Sequence, residues 1–373
     1  MTSETLLDYT TRASARTATP RAAQAAILLI TSCLGLVAIG FATAASVAPP
    51  DSFQLKVQTH GLNLAVALFA FLVALRTPLE WLRRASPFIA CAVGILLIAV
   101  LLPGIGRETK GARRWFSFGS VSFQPSEIAK ITVILFLADF IGKNPDRLAN
   151  LRSGFLAAAA FILGFAGIIF IEPDFGTALY IICLGGVLLA IGGAPTHYLI
   201  MSAVLSIVPV VLLAYGFFGH VSRRTTNDFQ VKQSLRSLGE GGPAGVGYGG
   251  GRMKFGHVPE GNNDFVLSLV GEEWGLLGTL TLLALFGGVL AAGAIGSKAC
   301  RDMFHRLIVF GVTFAIGFQA VFNIAVVTGV APPKGIALPF VSSGGSALLG
   351  FSIAVGLAVN ALRREAAASN SNS

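Results

Sequence analysis

The chain has 373 residues, of which 54% are hydrophobic and only 12% are charged, and its mean hydropathy is +0.74. A soluble domain of this size does not need so much apolar surface, so the composition excludes that class and indicates a polytopic membrane protein. The formal net charge is +9. Membrane proteins carry such an excess of Lys and Arg to set their orientation, and no nucleic-acid partner is predicted from it.

Ten apolar segments have the length that a bilayer core requires. The first follows a basic head rich in Ser and Thr (residues 1–22, cytoplasmic) and is predicted to be a retained signal anchor. A transmembrane domain over 23–365 and a small, polar, disordered cytoplasmic tail over 366–373 complete the predicted organisation. The sequence therefore predicts an all-α fold with about ten transmembrane helices. They lie near 24–47, 59–76, 86–103, 125–142, 152–171, 177–194, 196–219, 268–293, 305–328 and 344–362.

The placement of basic residues orients these spans. With both termini inside, the inner connections are short and evenly basic, as the positive-inside rule requires. Two outer segments then carry basic residues that orientation does not explain: the connection before 125 and the long extracytoplasmic loop 220–267 between spans 7 and 8. Loops of that length inside a compact protein are usually functional or disordered.

The fourth span begins with QPSEIAK, which places Glu127 and Lys130 three residues apart and so on one helix face. An ionisable pair at membrane depth is costly unless it faces a cavity or a partner. Two interpretations stay open, a functional site and an internal salt bridge between helices. Both can hold at once.

Two further motifs lie at outer helix ends. GARRWFSF (111–118) combines Arg113, Arg114 and Trp115 as an interfacial segment does, and composition alone favours a plain membrane anchor. EPDFGT (172–177) forms a tight acidic turn with Glu172 and Asp174, which can bind a cation or position a loop.

The long loop contains several candidate features. QSLRSL is typical of a short amphipathic helix, and the glycine run GEGGPAGVGYGGG after it is more typical of a flexible linker than of a phosphate-binding loop. Arg252 and Lys254 close the run and are candidates to face a pyrophosphate. Glu260 and Asp264 follow in HVPEGNNDF.

A last irregular segment, APPKGIALPFVSSGGS (331–346), precedes the tenth span. Its Pro and Gly content forbids a continuous helix. Since lipid-exposed irregular backbone is not tolerated, it must line a cavity or pack on protein.

In this order the motifs resemble the SEDS family of FtsW/RodA/SpoVE-type peptidoglycan glycosyltransferases. The residues that carry the resemblance are GARRW with QPSEIAK, EPDFGTA, QSLRSLGEGGPAGVG, VPEGNNDF with EEWGLLG, and PPKGIALPFVSSGGS. The resemblance covers about residues 20–365. The family usually has His-Thr where this chain has Asn262-Asn263, Gln where Glu172 stands and Tyr where Ser343 stands.

The resemblance implies an activity and a set of roles. It implies polymerisation of lipid II, with Asp264 as the catalytic carboxylate and Glu127 with Lys130 as the intramembrane pair. Lys130 is then also a candidate phosphate partner, and Glu260 is expected to fix the loop. The predicted substrate-binding residues are Arg113, Arg114, Arg252, Lys254, Glu260, Lys334, Ser342 and Ser343.

The implied surroundings of the protein are the bacterial inner membrane, a class B penicillin-binding protein and other membrane proteins of division or elongation. PPKG, with Lys334, places the chain nearer to FtsW than to RodA, whereas its role in division, elongation or sporulation is left open. No residues have the spacing of a resident metal site, although a divalent cation, Mg or Mn, is a candidate cofactor.

The chemistry is coherent from the residues themselves. A carboxylate within hydrogen-bond reach of a sugar hydroxyl acts as a general base, worth roughly 10²–10⁴-fold. Pyrophosphate is already a good leaving group, so cations can stabilise its charge without a second acid. Two other functions stay open at this point: a flippase for a lipid-linked precursor, and a catalytically decayed scaffold for a transpeptidase.

Overall fold

The computed structural model describes residues 3–47, 53–109, 112–118, 121–204, 225–252, 264–331 and 335–371. In this part of the chain, helices dominate and three short strands lie between the third and fourth of them. The helices are α1 Ser3–Ser46, α2 Phe53–Arg76, α3 Leu79–Leu101, α4 Pro125–Lys143, α5 Leu156–Ile171, α6 Phe175–Ile191, α7 over 196–204, α8 Thr225–Gly241, α9 Val266–Ala299, α10 Met303–Val327 and α11 Gly345–Ser371. A 3₁₀ turn (Pro145–Ala149) and a π turn (Leu151–Phe155) precede α5.

The helices confirm a polytopic membrane fold. Seven helical stretches among the described residues are long and apolar enough to cross a membrane, and Phe175–Ile191 is a shorter apolar helix. Each of the ten predicted spans coincides with a helix, although the predicted span 196–219 is described only to residue 204. The number of crossings and the N-in, C-in orientation stay predictions.

The helices differ in how much of their surface is buried by protein. The apolar part of α11 is 78% buried and that of α10 is 67% buried, whereas only 17% of α2 is buried. An apolar helix that the rest of the protein leaves mostly uncovered fits a lipid environment. Helix α10 packs against α4, α9 and α11, so α4, α10 and α11 form the centre of the bundle.

A small sheet is the part of the fold that the all-helical prediction did not contain. Strands β1 (Arg107–Thr109), β2 (Ala112–Phe118) and β3 (Val121–Phe123) pair antiparallel in the order β1-β2-β3. The backbone of this segment cannot stay unpaired beside the membrane, and pairing with itself satisfies it. The segment predicted to be an interfacial anchor is therefore a sheet that packs on α3 and α4.

Both terminal helices are longer than expected. Helix α1 begins at Ser3, so it continues across the boundary predicted near residue 22. Helix α11 extends to Ser371, past the point at which the small polar tail residues predicted disorder.

Helix α9 is kinked, and the loop after α8 packs against the kink. Gly275 has a φ of 66° and a ψ of −158°, a conformation that glycine adopts without strain. The amides of Val246 and Gly247 donate to the carbonyls of Glu272 and Glu273, at 2.9 and 3.1 Å. Hydrogen bonds to the backbone of α9 thus hold the described part of the glycine-rich segment in place, whereas the sequence favoured a flexible linker.

Candidate functional site

A cavity of about 490 Å³ lies where the sheet, the beginning of α4 and the beginning of α9 meet. Its wall combines acidic, basic, amide and aromatic side chains from segments far apart in the chain. Its polar and aromatic lining includes Arg107, Arg114, Trp115, Gln124, Glu127, Lys130, Asp174, Tyr180, Asp264 and Gln319. Four of the predicted site residues, Arg114, Glu127, Lys130 and Asp264, therefore share one cavity.

The ion pair of α4 is both buried and part of the cavity wall. Lys130 Nζ donates to Glu127 Oε1 at 2.8 Å and to Gln319 Oε1 of α10 at 2.8 Å. The same ammonium lies 5.0 Å from the ring centroid of Tyr180 and 5.5 Å from that of Phe351. Both interpretations of the pair hold in part, because it joins α4 to α10 and also faces the cavity. Because Lys130 lines the cavity, the phosphate contact considered for it stays a prediction.

Asp264 stands in the turn directly before α9 and is half-buried. Its backbone carbonyl accepts a hydrogen bond from Asn323 Nδ2 at 2.7 Å. Gly335 lies so close to its carboxylate that a methyl group added there would meet Asp264 Oδ2 at 2.9 Å. The proposed catalytic carboxylate is thus held from α10 and bordered by the segment 335–337.

Arg114 holds the acidic turn between α5 and α6. Its Nε donates to the carbonyl of Glu172 at 3.0 Å, and its Nη2 donates to the carbonyl of Pro173. Asp174 lies 3.9 Å from Arg114 Nη1 and caps α6 by accepting from the amide and hydroxyl of Thr177. Of the two functions that the sequence left open for this turn, these contacts support the positioning of a loop.

Glu172 is a buried carboxyl group in the same turn. It is 0% exposed, and neither carboxyl oxygen has a hydrogen-bond partner among the described residues. Burial, together with the nearby charge of Asp174, raises the pKa of Glu172 to about 8, although Arg114 acts in the opposite direction. The group therefore remains mostly protonated at neutral pH.

Several other predicted residues lie elsewhere. Arg113 alternates with Arg114 along β2 and pairs with its cross-strand neighbour Glu108 at 3.3 Å. Arg252 is exposed, and its amide donates to Glu272 Oε1 at 2.6 Å. Ser342 is buried and accepts from the Leu338 amide at 2.7 Å. Its neighbour Ser343 is half-buried and does not line the cavity. The predicted residues Lys254, Glu260 and Lys334 lie outside the described residues.

Sequence reasoning missed two amides that contact the site. Gln319 and Asn323 are four residues apart on one face of α10, and each is 1% exposed. A buried amide pair at this spacing in an apolar span is itself a signal of an internal polar site. Tyr180, which also lines the cavity, carried no motif that singled it out, and Arg107 was marked only as one of the outer basic residues that orientation does not explain.

The carboxylates of the cavity are also possible ligands for a divalent cation. No group of three or more His, Cys, Asp or Glu side chains among the described residues is arranged to hold a metal ion. Glu127 pairs with Lys130, and Asp174 caps α6, so both already serve protein donors. These two carboxylates are thus committed to protein partners, and a divalent cation stays a candidate cofactor.

Comparisons with known proteins agree on one family. The profile of the FtsW/RodA/SpoVE family, described as cell cycle protein, matches residues 21–367. A protein of Trichlorobacter lovleyi named probable peptidoglycan glycosyltransferase FtsW is 36% identical over 290 residues, which are 75% of this chain and 76% of that protein. The protein of the same name from Geobacter metallireducens is 33% identical over 351 residues, 89% of this chain and 92% of the relative.

Solved structures have the same fold. A chain from a structure described as coordination of polymerization and crosslinking by a peptidoglycan synthase complex superposes with a TM-score of 0.77 at 27% identity. The alignment covers 90% of this chain and 97% of that one. The rod shape determining protein RodA of Thermus thermophilus superposes with a TM-score of 0.67 at 29% identity, over 90% of this chain and 96% of RodA.

Proposed function

The chain belongs to the FtsW/RodA/SpoVE family, and from this premise we propose that it is a peptidoglycan glycosyltransferase of the bacterial inner membrane. It polymerises lipid II into glycan strands and releases undecaprenyl pyrophosphate. One observation carries the proposal: Asp264, a carboxylate in the turn before a membrane helix, shares a cavity with Arg107, Arg114 and the Glu127–Lys130 pair. This set contains a base and separate cations, as the reaction requires.

In the proposed step, Asp264 accepts the proton of an acceptor sugar hydroxyl. The hydroxyl oxygen forms a bond to the anomeric carbon of the donor sugar, and the bond from that carbon to the pyrophosphate oxygen breaks. The electron pair leaves with the pyrophosphate, whose charge is stabilised by the guanidinium groups of Arg107 and Arg114. Cations that are held in place before the reaction stabilise such developing charge without a cost of reorganisation.

The other residues support this step. Glu127 and Lys130 neutralise each other and hold α4 against α10 at the base of the cavity. Lys254, Glu260 and Lys334 remain proposed contacts to substrate, as do Arg252, Ser342 and Ser343 at the margin of the site. Glu260 in this proposal fixes the loop that leads into Asp264.

The proposed partner is a class B penicillin-binding protein, a membrane-anchored transpeptidase, together with other proteins of the division or elongation machinery. The support is that the superposed chain comes from a peptidoglycan synthase complex in which polymerization and crosslinking are coordinated. A transpeptidase would crosslink the strands that this chain produces.

The test is glycan-strand formation from purified lipid II, assayed with and without the transpeptidase and with Mg or Mn varied. We expect Asp264→Asn to reduce the rate by about 10²–10⁴-fold, because an amide cannot accept the proton. Asp146→Asn is the matched control, since Asp146 is exposed in the 3₁₀ turn before α5. It should polymerise at the rate of the unchanged chain.

Other outcomes would overturn the proposal. Undiminished polymerisation by Asp264→Asn removes Asp264 from the mechanism. If the unchanged chain with its partner forms no strands but moves lipid II across vesicles, the protein is a flippase. If it does neither yet raises crosslinking by the transpeptidase, it is a scaffold.

A further inference from the structure

Two amide side chains of α10 connect the proposed base to the rest of the site. Gln319 and Asn323 lie one helical turn apart, and both are almost completely buried. Burying a primary amide in an apolar helix costs free energy unless its hydrogen bonds are made. Both amide nitrogens and Gln319 Oε1 have partners, whereas Asn323 Oδ1 has none among the described residues, and these partners indicate what the two amides do.

Asn323 joins two segments that are 72 residues apart. Its Nδ2 donates to the carbonyl of Asp264 at 2.7 Å and to the carbonyl of Ile336 at 2.7 Å. Carbonyl oxygens only accept, so the nitrogen of the amide must be the atom that faces them. One side chain thus fixes both the turn before α9 and the segment 335–337.

Gln319 ties the same segment to the ion pair. Its Oε1 accepts from Lys130 Nζ at 2.8 Å, and its Nε2 donates to the carbonyl of Ala337 at 2.8 Å. The chain of contacts runs from Glu127 through Lys130 and Gln319 to Ala337, and then along the backbone to Ile336 and Asn323. Two separate polar groups of the cavity are thus attached to one helix face.

The segment held in this way borders the carboxylate. Gly335, the neighbour of Ile336, leaves too little space for a methyl group beside Asp264 Oδ2. Movement of 335–337 therefore changes the position available to this carboxylate. A displacement of about 1 Å in a catalytic group can cost roughly 10²-fold in rate.

We propose that Asn323, assisted by Gln319, is a positioning residue that sets the location of Asp264 relative to the substrate. We call the hydrogen bonds of Asn323 and Gln319 to the turn before α9 and to the segment 335–337 the clamp. The inference rests on the proposed function, because it assigns the clamp a role in the same reaction. It adds two residues whose role is to hold Asp264 and the segment 335–337 in place. It also explains why an apolar span retains two buried amides.

The test compares two buried asparagines with the same type of contact. Asn323→Asp keeps the shape but places oxygens against two carbonyls. Asn360 of α11 also donates to two backbone carbonyls, those of Ala74 at 3.1 Å and Thr77 at 2.7 Å, away from the cavity. Asn360→Asp therefore removes a comparable pair of bonds without touching the site, and Arg364 Nε, which donates to Asn360 Oδ1 at 3.3 Å, remains as a partner of the new carboxylate.

Two measurements on the full-length protein are read together. Hydrogen exchange by mass spectrometry should accelerate at 264–270 and 335–341 in Asn323→Asp, and at 74–77 in Asn360→Asp. With lipid II, Asn323→Asp should lower kcat at least tenfold and leave the apparent KM within about twofold, a shift of the kind that misplacement of a reacting group produces. Asn360→Asp should leave both constants unchanged.

A second variant covers the case in which Asn323→Asp does not fold. Gln319→Glu still accepts from Lys130 but cannot donate to Ala337, so it should also lower kcat and accelerate exchange at 335–341.

The outcomes separate the two proposals. If the unchanged chain makes no strands, the proposed function fails, and exchange at 264–270 alone decides whether the clamp exists. If the unchanged chain polymerises but Asn323→Asp matches Asn360→Asp in kcat or in exchange at 264–270, the positioning role is wrong.

Discussion

At the scale of single residues, Glu172 illustrates how the surroundings of a buried carboxyl group determine its pKa. Arg114 lies beside it, yet the guanidinium donates to the carbonyls of Glu172 and Pro173, while the carboxyl oxygens make no hydrogen bond among the described residues. A charged carboxylate in that position would lose its hydration without compensation. The raised pKa, about 8, is the consequence.

Replacing Glu172 by Gln should change how stability depends on pH. Because the pKa is raised in the folded protein, the folded state binds the proton more tightly than the unfolded state. Stability of the unchanged chain should therefore fall as pH rises from about 4.5 to about 8. Glu172→Gln lacks this titration, so its advantage in melting temperature should grow across that window and stay constant above it.

The control for this prediction is Glu172→Ala, which removes the same titration and adds a cavity. Its melting temperature should differ from that of Glu172→Gln by a constant offset. A difference between Glu172→Gln and the unchanged chain that does not vary between pH 5 and 9 would contradict the raised pKa.

The sequence predicted those residues of the cavity whose placement follows from their local spacing in the chain. Glu127 and Lys130 were found because three residues on a helix place two charges on one face. The sequence did not distinguish Arg114, which lines the cavity, from Arg113, which does not. The difference arises because side chains alternate along a strand, and the sequence did not predict the strand. The spacing of Gln319 and Asn323 marks an internal polar site, but the partners of Asn323 are backbone carbonyls, which a side-chain pattern does not identify.

At the scale of elements, the beginning of α9 is a composite of helix and loop. Ser237 of α8 and the amide of Arg252 donate to Glu272, at 3.1 and 2.6 Å, and Ser46 of α1 donates to Glu273. The kink at Gly275 leaves room for the loop, because a side chain there would meet the amide nitrogen of Gly245 at 2.3 Å. The acidic pair thus attaches three elements to the helix that follows Asp264.

Gly275→Ala should loosen this junction. A residue with a side chain is strained at a φ of 66° and would also collide with Gly245, so we expect a loss of about 1–3 kcal/mol. Faster proteolysis within 242–252 and a lower melting temperature would report it.

Gly287→Ala is the matched control on the same helix. No described residue lies within 4 Å of a methyl group added at Gly287. The change should be neutral or should stabilise by up to about 1 kcal/mol. Equal behaviour of the two variants would show that the kink does not need glycine.

The membrane helices were predictable because a bilayer demands about twenty apolar residues, and this demand is visible in composition. The sheet over 107–123 was not predictable from the sequence, because its strands are short and pair only with one another. The kink in α9 was not predictable either. It depends on contact with a loop that precedes it by some thirty residues, and EEWGLLG contains no proline.

At the scale of the whole molecule, the two ends of the bundle differ. At the end opposite the cavity, Asp139 of α4 accepts from Arg83, Ser86 and Lys143, at 3.4, 3.0 and 2.7 Å. Glu365 of α11 contacts His305 Nδ1 at 2.7 Å. These contacts join α3, α4, α10 and α11, so ion pairs close one end while the polar cavity occupies the other. We expect lipid-linked substrate to enter from the cavity end.

The orientation predicted from the basic residues places the cavity outside the cytoplasm, where an extracellular polymer must be made. Cysteines introduced one at a time test this orientation with a membrane-impermeant maleimide on intact cells. Cysteine in place of Glu108, whose side chain is 59% exposed beside the cavity, should react. Cysteine in place of Lys298, exposed at the other end of α9, should react only after the membrane is opened. The unchanged chain, with native cysteines Cys33, Cys91, Cys183 and Cys300, gives the background. The reverse labelling pattern would invert the topology and place Asp264 on the cytoplasmic side, away from the growing glycan.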